Sequence, residues 1–109
     1  MNWTIYILRT KKNTNRVRPG KVAVDALDTI TWINQIPNQD YVTITFNRGD
    51  PFVANSFPAG GVQVGENTPS TTYVIRPGIA PNSNFAYTVT AADNTDVPED
   101  SSSPEIDVP

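Results

Sequence analysis

Hydrophobic and polar residues alternate along several short stretches of the chain, most clearly over residues 28–34, Asp-Thr-Ile-Thr-Trp-Ile-Asn. A period of two places Ile30 and Trp32 on one face of a β-strand, and the threonines with Ile33 on the other. The indole of Trp32 needs a second layer to cover it, because a single sheet cannot bury so large a side chain. The pattern therefore predicts a central strand that packs against another sheet.

The same alternation predicts further strands on both sides of this one. They cover residues 3–8, 22–24, 41–46, 62–64, 71–76, 84–92 and 105–108. We expect the first of them to be covered on both faces, and Phe85 and Tyr87 to meet Trp32 across the sandwich. We expect the last to be an edge strand with Ile106 and Val108 directed inward.

Proline and glycine make a helical fold unfavourable. Ten prolines and six glycines are scattered through 109 residues, so few stretches could continue a helical period. A chain of this length suits one domain. We therefore predict an all-β fold, a Greek-key β-sandwich of about seven or eight strands. It forms a single domain over residues 1–109, with a polar acidic loop at residues 93–104.

Histidine and cysteine are both absent from the sequence. Their absence excludes thiolate metal sites and cysteine nucleophiles, and it removes the commonest metal ligand and general base. A serine or threonine nucleophile would need a lysine base, and Lys11, Lys12 and Lys21 lie in or beside an exposed polar loop. We therefore predict no catalytic residue, no metal site and no cofactor, and thus no enzyme.

Charge is distributed unevenly along the chain. The net charge of −3 argues against a general nucleic-acid-binding protein. Six of the eight basic residues fall within residues 9–21, and six of the eleven acidic residues within residues 93–107. The candidate interaction surface consists of Lys11, Lys12, Arg16, Arg18, Asp93, Asp96, Glu99 and Asp100. No apolar run is long enough for a membrane span, so we expect a soluble chain, and the compartment stays open.

Two of the predicted strands resemble motifs of the cupredoxin family. Residues 28–34 resemble its Gly-Asp-Thr-Val-Thr-Trp-x-Asn strand, and Tyr-Thr-Val-Thr-Ala at residues 87–91 is similar to its Tyr-x-Phe-x-Cys strand. The resemblance spans most of the chain and implies a cupredoxin-like sandwich. In that family two histidines, a cysteine and usually a methionine hold copper. Here residues 39–42 stand in the region of the first histidine, and Ala91 at or next to the cysteine position, which implies a copper-less relative without electron transfer.

Two functional hypotheses follow. The first is a non-catalytic, copper-free binding or structural module that self-associates or binds a protein partner. The resemblance implies that the loops at residues 10–18 and 93–104 lie at the same end of the sandwich, where opposite charges could pair within one molecule or between copies. The alternative is a small ligand-binding or carboxylate-based enzyme domain with calcium at the acidic loop, although the spacing fits no EF-hand.

Overall fold

Strands account for all the regular secondary structure of the described residues. The computed structural model describes residues 1–10, 14–93, 97–98 and 103–109. Nine strands and no helix occur in these ranges. In chain order they are β1 (Asn2–Arg9), β2 (Asn15–Arg18), β3 (Lys21–Ala23), β4 (Thr29–Gln35), β5 (Tyr41–Phe46), β6 (Val62–Gly65), β7 (Tyr73–Val74), β8 (Ser83–Ala91) and β9 (Glu105–Val108). The predicted all-β class is confirmed, with a slightly higher strand count.

The strands form two sheets whose apolar faces pack against each other. One sheet has four strands in the order β2-β1-β4-β7, and the other has five in the order β3-β9-β8-β5-β6. Strand β1 runs parallel to β4, and β3 runs parallel to β9. The other pairs are antiparallel, so both sheets are mixed.

The alternation pattern predicted most strand positions but not which strands lie beside each other. Strand β5 spans the predicted residues, and β4 and β8 are each displaced by one residue from their predicted bounds. Strand β9 also spans its predicted residues, and Ile106 and Val108 are buried. The prediction that β9 is an edge strand is wrong, because it lies between β3 and β8. Alternation reports which face a side chain takes, and it carries no information about which strands lie alongside.

The first two strands differ from prediction in exposure and in extent. Strand β1 is not covered on both faces, since Thr4 is exposed and Tyr6 retains 37% of its accessible surface. Tyrosine tolerates such a position because it combines an apolar ring with a polar hydroxyl. Residues 15–18, predicted as the end of a loop and a short extended piece, form β2 and pair with β1.

Trp32 occupies the centre of an aromatic cluster between the sheets. Its side chain is completely buried, and its ring centroid lies 5.6–6.3 Å from five other aromatic rings. Those rings belong to Phe46, Phe52, Phe57, Tyr73 and Tyr87. The indole Nε1–H donates to the Tyr87 hydroxyl at 3.4 Å. The core position predicted for Trp32 and Tyr87 is confirmed.

Phe85 does not join this cluster in the way the alternation predicts. It is only partly buried, and the Arg76 guanidinium lies 5.6 Å from its ring centroid. A guanidinium at that distance can interact with the face of the ring. Phe85 therefore packs at the margin of the core instead of against Trp32.

Two phenylalanines anchor the connection between β5 and β6. Phe52 and Phe57 are buried, and the Phe52 backbone N–H donates to Asp50 Oδ1 at 2.9 Å. The connection ends at Gly61, whose φ of +92° suits a residue without a side chain. A Cβ atom there would lie 2.7 Å from the Ile44 carbonyl oxygen, so the connection packs tightly against β5.

Candidate functional site

The predicted interaction surface is only partly contained in the described residues. Lys11, Lys12, Asp96, Glu99 and Asp100 lie outside them. The described members are Arg16 and Arg18 on β2 and Asp93 just after β8. The Arg16 guanidinium donates to the Asn15 carbonyl at 2.7 Å. The structure therefore describes the site through these three residues and the backbone around them.

Backbone hydrogen bonds bring the two oppositely charged segments together in one molecule. The Val17 N–H donates to the Pro98 carbonyl at 3.1 Å, and the Val97 N–H donates to the Val89 carbonyl at 2.7 Å. Val97 is also almost fully buried, with 1% of its surface exposed. Residues 97–98 therefore run beside β2, which carries Arg16 and Arg18, and close one side of the sandwich.

The outer face of the four-stranded sheet combines apolar and basic side chains. In the strand register, Tyr6 lies opposite Arg18 on β2 and opposite Ile33 on β4. The next row on the same face contains Leu8, opposite Arg16 and Gln35. Tyr6 is 37% exposed, and Leu8 and Ile33 are half-buried. We call Tyr6, Leu8, Arg16, Arg18 and Ile33 the basic face.

The outer face of the five-stranded sheet carries carboxylates. Glu105 and Asp107 alternate with the buried Ile106 along β9, so both point outward. Lys21 on β3 forms an ion pair with Glu105 at 3.3 Å. Partial burial, and then the neighbouring Glu105, raise the pKa of Asp107. We call Glu105 and Asp107 the acidic face, and it lies across the sandwich from the basic face.

The two segments matched to the copper-ligand regions of cupredoxins lie side by side. Val42 on β5 pairs with Ala91 on β8, and the Gln39 side-chain oxygen accepts a hydrogen bond from the Ala92 N–H at 3.1 Å. Val42 and Ala91 are buried. Apolar packing and one amide contact therefore occupy this region, and its side chains offer neither imidazole nor thiolate.

A cleft of about 480 Å³ opens beside the connection between β5 and β6. It is lined by Phe46, Gly49, Asp50, Asn55, Phe57, Pro58 and Ala59. The rings of Phe46 and Phe57 meet edge to face, with centroids 5.1 Å apart. The sequence analysis did not predict this cleft, because the lining residues come from separate parts of the connection.

No protein-family model matches the chain, and no curated protein is significantly similar to it. Across the described ranges, no cluster of three or more metal-ligating side chains occurs. In the same ranges we find no helix of the length and hydrophobicity required to cross a membrane. The calcium hypothesis concerns acidic residues that lie mostly outside those ranges.

Proposed function

We propose that the protein is a non-catalytic, copper-free assembly module on a Greek-key, cupredoxin-like sandwich. The order of its strand motifs supports the cupredoxin likeness. The apolar packing of Val42 and Ala91, in the region where copper ligands are expected, supports a copper-free role. Without imidazole or thiolate donors, that region has no affinity for a type 1 copper ion.

The observation that carries the assembly role is the composition of the basic face. Tyrosine and arginine are enriched in protein–protein interfaces, and here Tyr6 lies opposite Arg18 in one row of the sheet. Ile33 adds an apolar side chain to this row, and Leu8 adds one to the next row. A partly exposed apolar strip beside basic side chains suits a partner that offers acidic residues around an apolar contact.

The partner is a second copy of this chain, which binds through its acidic face. Glu105 and Asp107 lie on the opposite side of the sandwich from Tyr6 and Arg18. Copies would therefore stack head to tail, with the basic face of one against the acidic face of the next. The molecule measures 39 × 24 × 24 Å, so one face can offer an area near the ~800 Å² per partner of a standard interface.

The test uses two variants, each with one blocked face. Tyr6→Glu places a carboxylate on the basic face, and Asp107→Lys places an ammonium on the acidic face. The mass of the parent should rise with concentration in light scattering coupled to size exclusion, whereas each variant alone should remain monomeric. An equimolar mixture should form a heterodimer, because each variant retains the face that the other lacks.

Glu66→Lys is the matched control, because it makes the same charge change as Asp107→Lys at an exposed residue outside both faces. It should assemble as the parent does. A parent that stays monomeric at every concentration, or a mixture that does not associate, refutes the head-to-tail arrangement. Repeating the series with EDTA addresses the calcium alternative, since a chelator effect on mass would favour a metal at the acidic loop.

A further inference from the structure

We infer that the cleft beside the connection between β5 and β6 binds an arylalkylammonium ligand, an aromatic group joined by a short chain to a positively charged amine. The cleft volume of about 480 Å³ lies within the usual range for small-molecule sites. Its lining residues belong to neither the basic face nor the acidic face. The inference therefore stands independently of the proposed assembly.

One side of the cleft is aromatic and held in place by the core. Phe46 contacts Phe57, Phe52 and Tyr87 with centroid distances of 5.1–5.6 Å. Phe57 stacks on Phe52 and also contacts Trp32. The rings behind Phe46 and Phe57 are buried, so both rings are held in place. Phe46 is half-buried and Phe57 keeps only 8% of its surface exposed, so Phe46 offers the larger accessible apolar surface. A ligand ring can pack against it edge to face, and the ring faces also attract a cation.

The cleft lining also includes Asp50, whose carboxylate has a fixed orientation. Asp50 Oδ1 accepts the Phe52 backbone N–H at 2.9 Å. Asp50 Oδ2 receives no hydrogen bond from the described residues, so it can accept from a ligand ammonium. Asn55 also lines the cleft, and its amide oxygen is a second candidate acceptor. A charge-assisted hydrogen bond from an amine would be the strongest polar contact available here.

Among the described residues, neither of the neighbouring arginines, Arg76 and Arg48, forms an ion pair with this carboxylate. The Arg76 guanidinium donates to the backbone carbonyl of Asp50 at 2.6 Å and lies over the Phe85 ring. Arg48 precedes Gly49 in the chain but lines a different cleft, together with Asn84 and Glu105. The cleft lining thus contains one acidic residue and no basic residue, which selects a cation over an anion of similar size.

The probe pair is 2-phenylethylammonium and its neutral counterpart 2-phenylethanol, which differ mainly in charge. Calorimetric titration measures both affinities. Tryptophan fluorescence provides a second readout, because Trp32 contacts both Phe46 and Phe57. We expect the ammonium to bind at least about tenfold more tightly than the alcohol, the preference that one charge-assisted hydrogen bond provides.

Two amide variants locate the origin of that preference. Asp50→Asn keeps an oxygen that can accept from the Phe52 N–H, so the loop should fold, and the preference for the ammonium should disappear. Asp40→Asn removes an exposed carboxylate outside the cleft and should leave the preference for the ammonium unchanged. Three outcomes would overturn the inference. The parent could bind both probes equally, Asp50→Asn could retain the preference for the ammonium, or neither probe could bind up to about 10 mM.

Discussion

The indole of Trp32 fills the space between the two sheets, so its removal should have a large effect on stability. Trp32→Ala leaves a cavity bordered by five aromatic rings. We expect a loss of about 3–5 kcal/mol in the free energy of unfolding. Urea unfolding measures this loss. Trp3→Ala serves as the comparison and should reduce the free energy of unfolding less, because Trp3 is only partly buried. A loss below about 1 kcal/mol for Trp32→Ala would contradict the packing described above.

Asp28 should make the stability of the protein depend on pH. The Asp25 N–H donates to its Oδ2 at 2.9 Å, and the Met1 ammonium lies 2.7 Å from its Oδ1. These contacts lower the pKa of Asp28 from the ordinary value of 3.8. Because the folded state favours the ionised carboxylate, the contribution is present above that value and is lost as pH falls below it.

We therefore expect Asp28→Asn to lower the free energy of unfolding by about 1–3 kcal/mol at pH 7. The difference between parent and variant should shrink toward zero in strong acid, where the parent carboxyl is protonated as well. Urea unfolding at several pH values measures both quantities. Asp40→Asn, which changes an exposed carboxylate, should show little difference at any pH. A gap for Asp28→Asn that stays constant with pH would rule out ionisation as its source.

At the scale of elements, the connection between β5 and β6 depends on Gly61. Gly61 and Gly49 have the same positive φ of +92°. A Cβ atom added at Gly61 would clash with the Ile44 carbonyl oxygen, whereas one added at Gly49 would have no neighbour within 4 Å. Alanine is disfavoured at this positive φ, so both alanine variants should lose about 1–2 kcal/mol in the free energy of unfolding. Gly61→Ala should cost more, since β5 or the connection must also shift. Equal losses in urea unfolding would mean that the close approach has no energetic effect.

Element positions were predictable from sequence because alternation determines which side chains face the core. It identified β4, β5 and β8 to within a residue, and it placed Trp32 and Tyr87 in the core. It failed for the edge position of β9 and for the packing of Phe85, because neighbouring strands and local packing depend on long-range contacts. The cleft was not predictable, since Phe46 and Asp50 become its walls only when the connection folds back on β5.

At the scale of the whole molecule, the charged segments should make stability sensitive to salt. The Val17–Pro98 hydrogen bond places the basic and acidic segments next to each other. Reversing Lys11, Lys12 and Arg16 to glutamate would replace attraction with repulsion along that side of the sandwich. Exposed pairs contribute about 0–1 kcal/mol each, so we expect the melting temperature to fall by several degrees at low salt.

High salt should remove most of that difference, because charges are screened beyond roughly 8 Å at physiological ionic strength and more strongly above it. Thermal unfolding followed by circular dichroism from low to high salt measures the effect. Glu66→Lys reverses the charge of an exposed residue outside both segments and should change the melting temperature little. If the triple variant and the parent have the same melting temperature at low salt, the two segments do not interact electrostatically.

The central position of β9 also affects when the protein can fold during synthesis. Among the described strands, β3 pairs with β9 alone in the five-stranded sheet, and β9 also covers the edge of β8. Val22 therefore cannot reach its partner Ile106 while residues 105–108 are still inside the ribosome. Pairings between such distant segments form slowly. We expect the nascent chain to expose an open β8 edge until residues 105–108 have left the ribosome, a stage at which chaperones would limit aggregation.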